Sequence, residues 1–230
     1  TRCSRDWSSD VCSSDLRIGG SGVNQMYMYD IASNAWTAKA AQPISNLNYA
    51  SAAWDEATKK VYVIGNNDAG NLYFYSYDPF ANTWSSALTQ TGMTVRSQGS
   101  LTATNGKLFY FGGVTSTTAY DTLYIYDTVA GTWSTGTQGT TANGGPGPRY
   151  GHHAGIMQAG PYAGQMGILA GVTTYSTGLA NDTKPYFYNP TSNTWSNPAA
   201  YTFPTNWTMS NRSSVQVYHP FSCTVGQFIC

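Results

Sequence analysis

Charged side chains are scarce in this sequence. Only 10% of the 230 residues are Asp, Glu, Lys or Arg, and the formal net charge is zero. The chain therefore has no basic patch of the kind that binds nucleic acid, and it has no acidic tail. No apolar run approaches the roughly 18 residues that a membrane-spanning helix needs. Nucleic-acid partners and a membrane span are accordingly not expected.

Common enzyme signatures are also missing. The sequence contains no G-x-S-x-G, C-x-x-C or phosphate-loop pattern, and the glycine-rich segment 143–148 lacks the strand and helix that a phosphate loop requires. Carboxylates are few, and those that recur occupy turn positions, so no catalytic pair is indicated. The sequence favours a non-catalytic protein, and we predict no cofactor and no catalytic residue.

Four segments align without a gap on a tryptophan. They are YMYDIASNAWT, YSYDPFANTWS, YIYDTVAGTWS and YFYNPTSNTWS, anchored by Trp36, Trp84, Trp133 and Trp195. Nine and seven residues before each Trp lies a tyrosine, the second of the two being Tyr29, Tyr77, Tyr126 and Tyr188. A spacing of two places both rings on one face of a β-strand. Each copy therefore predicts a strand that leads towards its Trp.

Two further columns predict a tight turn inside each copy. Six residues before the Trp is a short Asx side chain, which starts turns by bonding to nearby backbone: Asp30, Asp78, Asp127 and Asn189. Two residues before the Trp is a residue that tolerates a left-handed backbone: Asn34, Asn82, Gly131 and Asn193. The unit reads as strand, turn and strand.

Short apolar runs upstream of each unit end in glycine, at Gly20, Gly65, Gly113 and Gly171. Each run reads as a buried strand that glycine stops. One more strand is predicted before three of them, at 49–54, 99–104 and 151–157. This gives four strands in a unit of about 50 residues, a period typical of propeller blades.

These features resemble the kelch family. The third copy carries the resemblance best, with Gly112-Gly113, the Tyr124–Asp127 segment and Trp133, and the lead-in Pro148–His152 is similar to that of the family. The resemblance implies an all-β fold, here a partial kelch-type propeller of about four blades of four antiparallel strands in an open arc. It does not imply one activity, because kelch domains include binding scaffolds and some enzymes.

The sequence also predicts the domain boundaries. Asp6–Leu16 resembles a translated sequencing adapter, so residues 1–16 are expected to be non-native and are excluded from the fold. Residues 17–230 form one kelch-like propeller fragment, whose first copy lacks its opening strands. The predicted blades are 17–43 (partial), 44–91, 92–140, 148–200 and 208–230 (partial).

Candidate metal ligands are weak. His152 and His153 are adjacent on a predicted strand and point to opposite faces, so they are expected to be structural, with hydrogen bonds inside their own blade. Tyr218 and His219 are similar to the Tyr and His ligands of copper-radical oxidases related to galactose oxidase. No second histidine supports such a site, and we predict no metal.

Other candidates depend on the compartment. Asn181, Asn206 and Asn211 are glycosylation acceptors if the chain is secreted, and with the low charge they favour an extracellular or lumenal location. Cys223 and Cys230 lie seven apart across a predicted hairpin. A disulfide between them is geometrically feasible, and two free cysteines are an equal alternative.

The leading functional hypothesis is a non-catalytic module that binds a protein or glycan through loops on a rigid frame. The expected binding loops are Ser116–Thr122, Thr135–Arg149 and Thr173–Lys184. Aromatic residues outside the repeat columns are further candidates, namely Tyr120, Tyr150, Tyr162, Tyr175, Tyr201 and Trp207. The alternatives are a fragment of a copper-radical oxidase and a structural component of the cell surface.

Overall fold

The structure, a computed structural model, describes residues 14–18, 24–67, 69–173 and 184–198. In these ranges the chain forms antiparallel β-sheets, and its only helical element is a 3-10 turn at Thr141–Asn143. No helix there has the length and apolar character needed to cross a membrane. The predicted all-β fold class is confirmed.

Each sheet is one blade, and its strands lie side by side in chain order. In the described residues the first blade has three strands, β1 (Ser14–Arg17), β2 (Met26–Asp30) and β3 (Ala35–Lys39). The second has β4 (Asn48–Asp55), β5 (Lys60–Asn66), β6 (Leu72–Asp78) and β7 (Thr83–Trp84). The third has β8 (Ser100–Thr104), β9 (Lys107–Phe111), β10 (Leu123–Asp127) and β11 (Thr132–Thr135). The fourth has β12 (His153–Ile156), β13 (Met166–Leu169), β14 (Tyr186–Asn189) and β15 (Thr194–Ser196).

The first blade begins earlier than the sequence indicated. Ser14–Arg17 pairs antiparallel with β2, so residues 14–16, which the sequence excluded from the fold, occupy the place of a second strand. Backbone hydrogen bonds form this ladder, and they do not require a particular sequence. Leu16 also packs, partly buried, against the core between the first two blades.

The turns between the third and fourth strands have the predicted geometry. Residues two before each Trp all have positive φ, with values of 51, 53, 70 and 55° for Asn34, Asn82, Gly131 and Asn193. The Asx side chain starts each turn by accepting backbone N–H bonds; Asp127 Oδ1, for example, accepts from the residues two and three further on at 3.0 and 2.8 Å. Both turn columns are confirmed.

First strands of neighbouring full blades lie side by side. The N–H of Leu101 in β8 donates to Ser51 Oγ in β4 at 2.8 Å. Just before β12, the N–H of Gly151 donates to the carbonyl of Gln98, just before β8, at 2.9 Å. The first strands are therefore the inner strands of the arc. Within the described residues the arc is open, as the resemblance implied.

The core lies between blades rather than within them. Three clusters of buried side chains fill the three junctions, one for each pair of neighbouring blades. They are centred on Met26, Val63 and Tyr77; on Phe74, Leu108 and Tyr126; and on Phe109, Phe111, Ile168 and Tyr188. A single blade therefore has no core of its own, which is the condition under which repeats stack.

The repeated tryptophans join each blade to the preceding one. In all four copies the indole packs on the tyrosine seven residues earlier, with ring centroids 5.0–5.2 Å apart. In blades two to four the indole N–H also donates to a carbonyl of the preceding blade, at Ala40 (2.9 Å), Thr89 (2.9 Å) and Thr137 (2.8 Å). Trp36 has no preceding blade within the described residues, and it is 57% exposed.

Candidate functional site

Antiparallel pairing divides the connections between the two ends of the blades. Hairpins joining strands one and two, or three and four, lie at one end, which we call the turn face. Connections between strands two and three, and between blades, lie at the other end, which we call the loop face. Its described residues are 18, 24–25, 40–47, 67, 69–71, 85–99, 112–122, 136–152, 170–173 and 184–185. Two of the predicted binding loops, 116–122 and 135–149, belong to the loop face. The third falls mostly outside the described residues.

The predicted loop 135–149 is held by hydrogen bonds within itself and to neighbouring segments. The N–H of Gly147 donates to the carbonyl of Gly139 at 2.7 Å, and that of Gly139 donates to the carbonyl of Asp121 at 2.8 Å. The carbonyl of Thr137 accepts the Trp195 indole N–H at 2.8 Å. The loop is therefore part of the junction between the third and fourth blades, and its deletion would remove that support.

A left-handed residue lies at or just before the start of each inner strand, on the loop face. Tyr49, Gln98 and Gly151 have φ of 50, 60 and 60°. The strand pairing shows that they occupy equivalent positions in the repeat. In each blade, the residue two positions later pairs with the strand-two residue that directly precedes the Gly or Ala at which that strand's apolar run ends. These pairs are Ser51–Ile64, Ser100–Phe111 and His153–Leu169. Tyr49 lies where the ladder between β4 and β5 shifts register, and it is 62% exposed. Gln98 is half-buried.

A buried arginine supports this rim in each of the last two blades. Arg96 and Arg149 are 2% and 1% exposed and occupy equivalent positions, four residues before the inner strand. Each arginine donates a hydrogen bond from Nη1 to a backbone carbonyl just after strand two of its own blade. Arg96 donates to the carbonyl of Gly112 at 3.0 Å, and Arg149 donates to the carbonyl of Ala170 at 2.8 Å. Their guanidiniums also lie over tyrosine rings, those of Tyr120, Tyr124 and Tyr186. These contacts hold the segment that precedes each inner strand against the end of strand two.

Tyr124 shows the electrostatic effect of Arg96. Burial alone raises the pKa of the Tyr124 phenol, but the N–H bond from Thr94 (3.1 Å) and the Arg96 charge lower it, and the net direction of the pKa is downward. The phenol oxygen therefore serves as an acceptor for the loop-face backbone.

His152 joins two blades, which differs from the within-blade bond expected from the sequence. Its Nε2 lies 2.7 Å from the hydroxyl of Ser100, in the inner strand of the third blade. The strand begins at His153, so His152 precedes it and is 3% exposed at the junction. Burial, with the nearby charges of Arg149 and His153, lowers the pKa of His152 from 6.5 to about 3. The imidazole is therefore neutral in the folded protein near neutral pH.

The lowered pKa of His152 predicts acid sensitivity. An unfolded chain binds a proton near pH 6.5, whereas the folded one does so near pH 3, so stability present above pH 6.5 is lost as the pH falls towards 3. We expect this residue to contribute a loss of about 2 kcal/mol between about pH 7.5 and pH 5. Between these two pH values, the free energy of unfolding of His152→Asn should fall by about 2 kcal/mol less than that of the wild type. Urea unfolding of both proteins at both pH values measures the difference. Equal losses in both proteins would show that His152 is not the source of the acid sensitivity. Both proteins retain His153, so its contribution cancels in the comparison.

The structure places the other candidates in various settings. Tyr120 packs on Arg96, Tyr150 is buried beneath the loop face with Val114 and Val172, and Tyr162 stacks on Phe187. Within the part of the chain that the structure describes, no group of three or more His, Cys, Asp or Glu side chains could hold a metal ion. The remaining candidates lie outside the described residues: Gly20, Tyr175, Asn181, Tyr201, Asn206, Trp207, Asn211, Tyr218, His219, Cys223 and Cys230.

Sequence reasoning missed the rim formed by Tyr49 and Gln98. Tyr49 was assigned only to the start of a strand. The signal was present, because the same column contains Gly151 in the fourth blade, and a glycine in a repeat column indicates positive φ. Tyr, Gln and Gly share no side-chain property, so only the backbone unites the column.

Comparison with protein families identifies a matching family model. A family model described as the KLHDC2/KLHL20/DRC7 Kelch-repeats domain matches residues 13–219. The match covers most of the chain and all four tryptophan-anchored copies. It begins at residue 13, just before β1.

Proposed function

This chain belongs to the kelch-repeat family, whose domains generally serve as protein-interaction modules, and we propose that it binds a protein partner through the inner rim of its loop face. The rim is defined by Tyr49 and Gln98, with the neighbouring loop 114–118. The occupant is an uncharged, polar protein segment. A glycan is the alternative ligand that the test below distinguishes.

The conformation of Tyr49 is the observation that carries this proposal. An L-residue with a left-handed backbone costs roughly 1–2 kcal/mol, and glycine, which avoids the cost, occupies the same position as Gly151. The strained tyrosine lies at a bulge, where a strand redirects a side chain, and it is 62% exposed. A large aromatic side chain held in solvent against strain supports a contact role.

The neighbours of Tyr49 favour an uncharged ligand. Gln98 follows around the rim, and the residue before it, Ser97, forms a two-bond bridge with Val114 at the start of the loop 114–118. That loop supplies hydroxyl groups from Thr115, Ser116, Thr117 and Thr118. Within the described loop face the charged side chains are the half-buried Asp121, the two buried arginines and the exposed Lys184, which lies in the connection between β13 and β14 of the fourth blade.

The frame beneath the rim is fixed before any partner arrives. Arg96 donates to the carbonyls of Thr94 and Gly112, which lie on the two loops that border Gln98. Loops with such support lose little conformational entropy on binding, so more of the contact energy remains as affinity. A rim that is already ordered in this way supports a role in recognition.

The proposal is tested by selecting ligands without assuming their identity. The full chain is used to select binders from a random peptide display library, and it is applied in parallel to a glycan array. Selected peptides should bind Tyr49→Ala at least about ten-fold more weakly than the wild type, as expected for a truncated aromatic hot spot, and Gln98→Ala should weaken them as well.

Phe80 provides a matched control. It is 56% exposed, close to the exposure of Tyr49, but it lies in the turn 79–82 on the turn face. Phe80→Ala should leave the affinity of the selected peptides unchanged. If peptides survive Tyr49→Ala but not Phe80→Ala, the binding face is wrong. If only glycans bind and they depend on Tyr49, the face is right and the partner class is wrong.

A further inference from the structure

The second blade differs from the third and fourth on the loop face. In the third and fourth blades, the second residue after strand two is a glycine, Gly113 or Gly171, with φ of 97 or 98°. A Cβ at Gly113 would lie 2.9 Å from Arg96 Cδ, and one at Gly171 would lie 2.8 Å from His152 Cβ. In these blades the segment that precedes the inner strand therefore packs against bare backbone.

The equivalent position in the second blade holds Asn66. It lies two residues after Ile64, which the strand pairing makes equivalent to Phe111. Asn66 is the last residue of β5 and pairs with Asn48 of β4. Leu47, which is 3% exposed in the core between the first two blades, takes the place of the buried arginine. The second blade therefore has a side-chain amide where the other two have only glycine backbone.

The side-chain amide of Asn66 is buried but incompletely bonded. The residue is 7% exposed, and its Nδ2 donates to the carbonyl of Gly70 at 3.4 Å, which is long for a hydrogen bond. Its Oδ1 is buried and accepts no hydrogen bond from the described residues. A buried acceptor without a donor is unfavourable, so a donor that a ligand brings to this oxygen would favour binding.

The unpaired oxygen of Asn66 lies beside Tyr49. Asn48, the cross-strand partner of Asn66, directly precedes Tyr49 at the bulge of β4. On the other side of Asn66, residues 69–71 are exposed, and a Cβ at Gly70 would have nothing within 4 Å. Turning the amide outward would break only its long bond to Gly70. A small rotation would therefore bring this acceptor to a ligand that contacts Tyr49.

We propose that Asn66 is a further recognition residue of the rim and accepts a hydrogen bond from a main-chain N–H of the bound protein segment. This inference rests on the function proposed above, in which that segment contacts Tyr49. A peptide N–H is a neutral donor that every residue except proline carries. It satisfies Oδ1 without bringing a charge to a buried position. The bound segment is therefore expected to lack proline at the donor position.

Asn66→Leu separates this role from a structural one. The variant keeps the approximate shape of the side chain and removes its amide. It should weaken the peptides selected on the wild-type chain about three- to ten-fold, which corresponds to one net hydrogen bond. The same variant should keep or raise the melting temperature of the free chain, because it removes an unpaired buried acceptor. Unchanged binding with a lower melting temperature would show that Asn66 serves the fold, and would overturn the inference.

Asn66→Gly covers the case in which leucine prevents folding. It introduces the residue that the third and fourth blades have at this position, and it should weaken the selected peptides to the same extent. Asn71→Ala is the matched control, because Asn71 is exposed on the same loop and its bonds with Asn67 use its backbone N–H and carbonyl. The affinity of this control variant for the peptides should equal that of the wild type.

Backbone methylation of a selected peptide identifies the donor. Each N–H is replaced in turn by N-methyl, and at one position the loss of affinity seen with the wild type should disappear in both Asn66 variants. The inference is overturned if no position is coupled to Asn66 in this way, or if only glycans depend on Asn66. If the peptides depend on Tyr49 but not on Asn66, the inference fails and the proposed function stands. If they depend on neither residue, both fail.

Discussion

Replacing Trp195 by alanine will lower the free energy of unfolding by about 3–5 kcal/mol, as truncations of large buried aromatics do. The indole is 7% exposed, packs on Phe111 at 5.1 Å, and donates its N–H to the carbonyl of Thr137 at 2.8 Å. Truncation removes the packing between the third and fourth blades and leaves a partly buried carbonyl without its donor. Urea unfolding followed by near-ultraviolet circular dichroism measures the loss.

Trp36 provides the matched control from the same repeat column. It packs on Tyr29 as Trp195 packs on Tyr188, but it is 57% exposed. Trp36→Ala should therefore cost less than about 1 kcal/mol, as exposed substitutions do. Similar losses for both variants would mean that the column stabilises each hairpin internally and does not join the blades.

Gly112→Ala should destabilise the protein by roughly 2–5 kcal/mol, from backbone strain together with overpacking. Gly112 has φ of 67°, and a Cβ there would lie 2.5 Å from the carbonyl oxygen of Arg149 and 2.8 Å from His152 Cε1. Both neighbours belong to the lead-in of the next blade, which cannot move without opening the junction. Thermal and urea unfolding of the variant measure the effect.

Gly92→Ala separates the two causes. Gly92 has φ of 82° with nothing within 4 Å of its Cβ position, so this variant carries backbone strain alone, about 1–2 kcal/mol. In the fourth blade, Ala170 occupies the position of Gly112 with φ of 56°. A Cβ is therefore compatible with the left-handed backbone at this position, at the cost of strain. If Gly112→Ala cost no more than Gly92→Ala, the close approach of the next blade would not be the reason for the glycine.

Much of the architecture could be predicted because its signals lie in repeated columns. Tyr, Asx and Trp recur at fixed spacing, and each serves the same backbone or packing requirement in every blade, so four copies reinforce one another. The exchange of Asn82 for Gly131 in one column correctly indicated a left-handed residue in both. Strand bounds were accurate to within a few residues for the same reason.

Features that occur once could not be predicted in this way. The partner of His152 is Ser100, 52 residues earlier in the preceding blade, and nothing in either local sequence indicates that pairing. The hairpin of residues 157–165, which joins β12 to β13, appears in sequence only as extra length between repeats. The stacking of its Tyr162 on Phe187 depends on which side of the sheet the hairpin folds across. Such facts follow from tertiary geometry rather than from a spacing.

The direction of the indole bonds has a consequence for how such a chain can change its length. In each of the three described junctions the indole N–H of the later blade donates to a backbone carbonyl of the earlier one. A duplicated or lost module of one whole period would therefore bring both halves of a junction with it, or remove both. Growth by gene duplication needs no newly evolved contact, whereas an insertion of half a period would leave an indole facing the wrong edge.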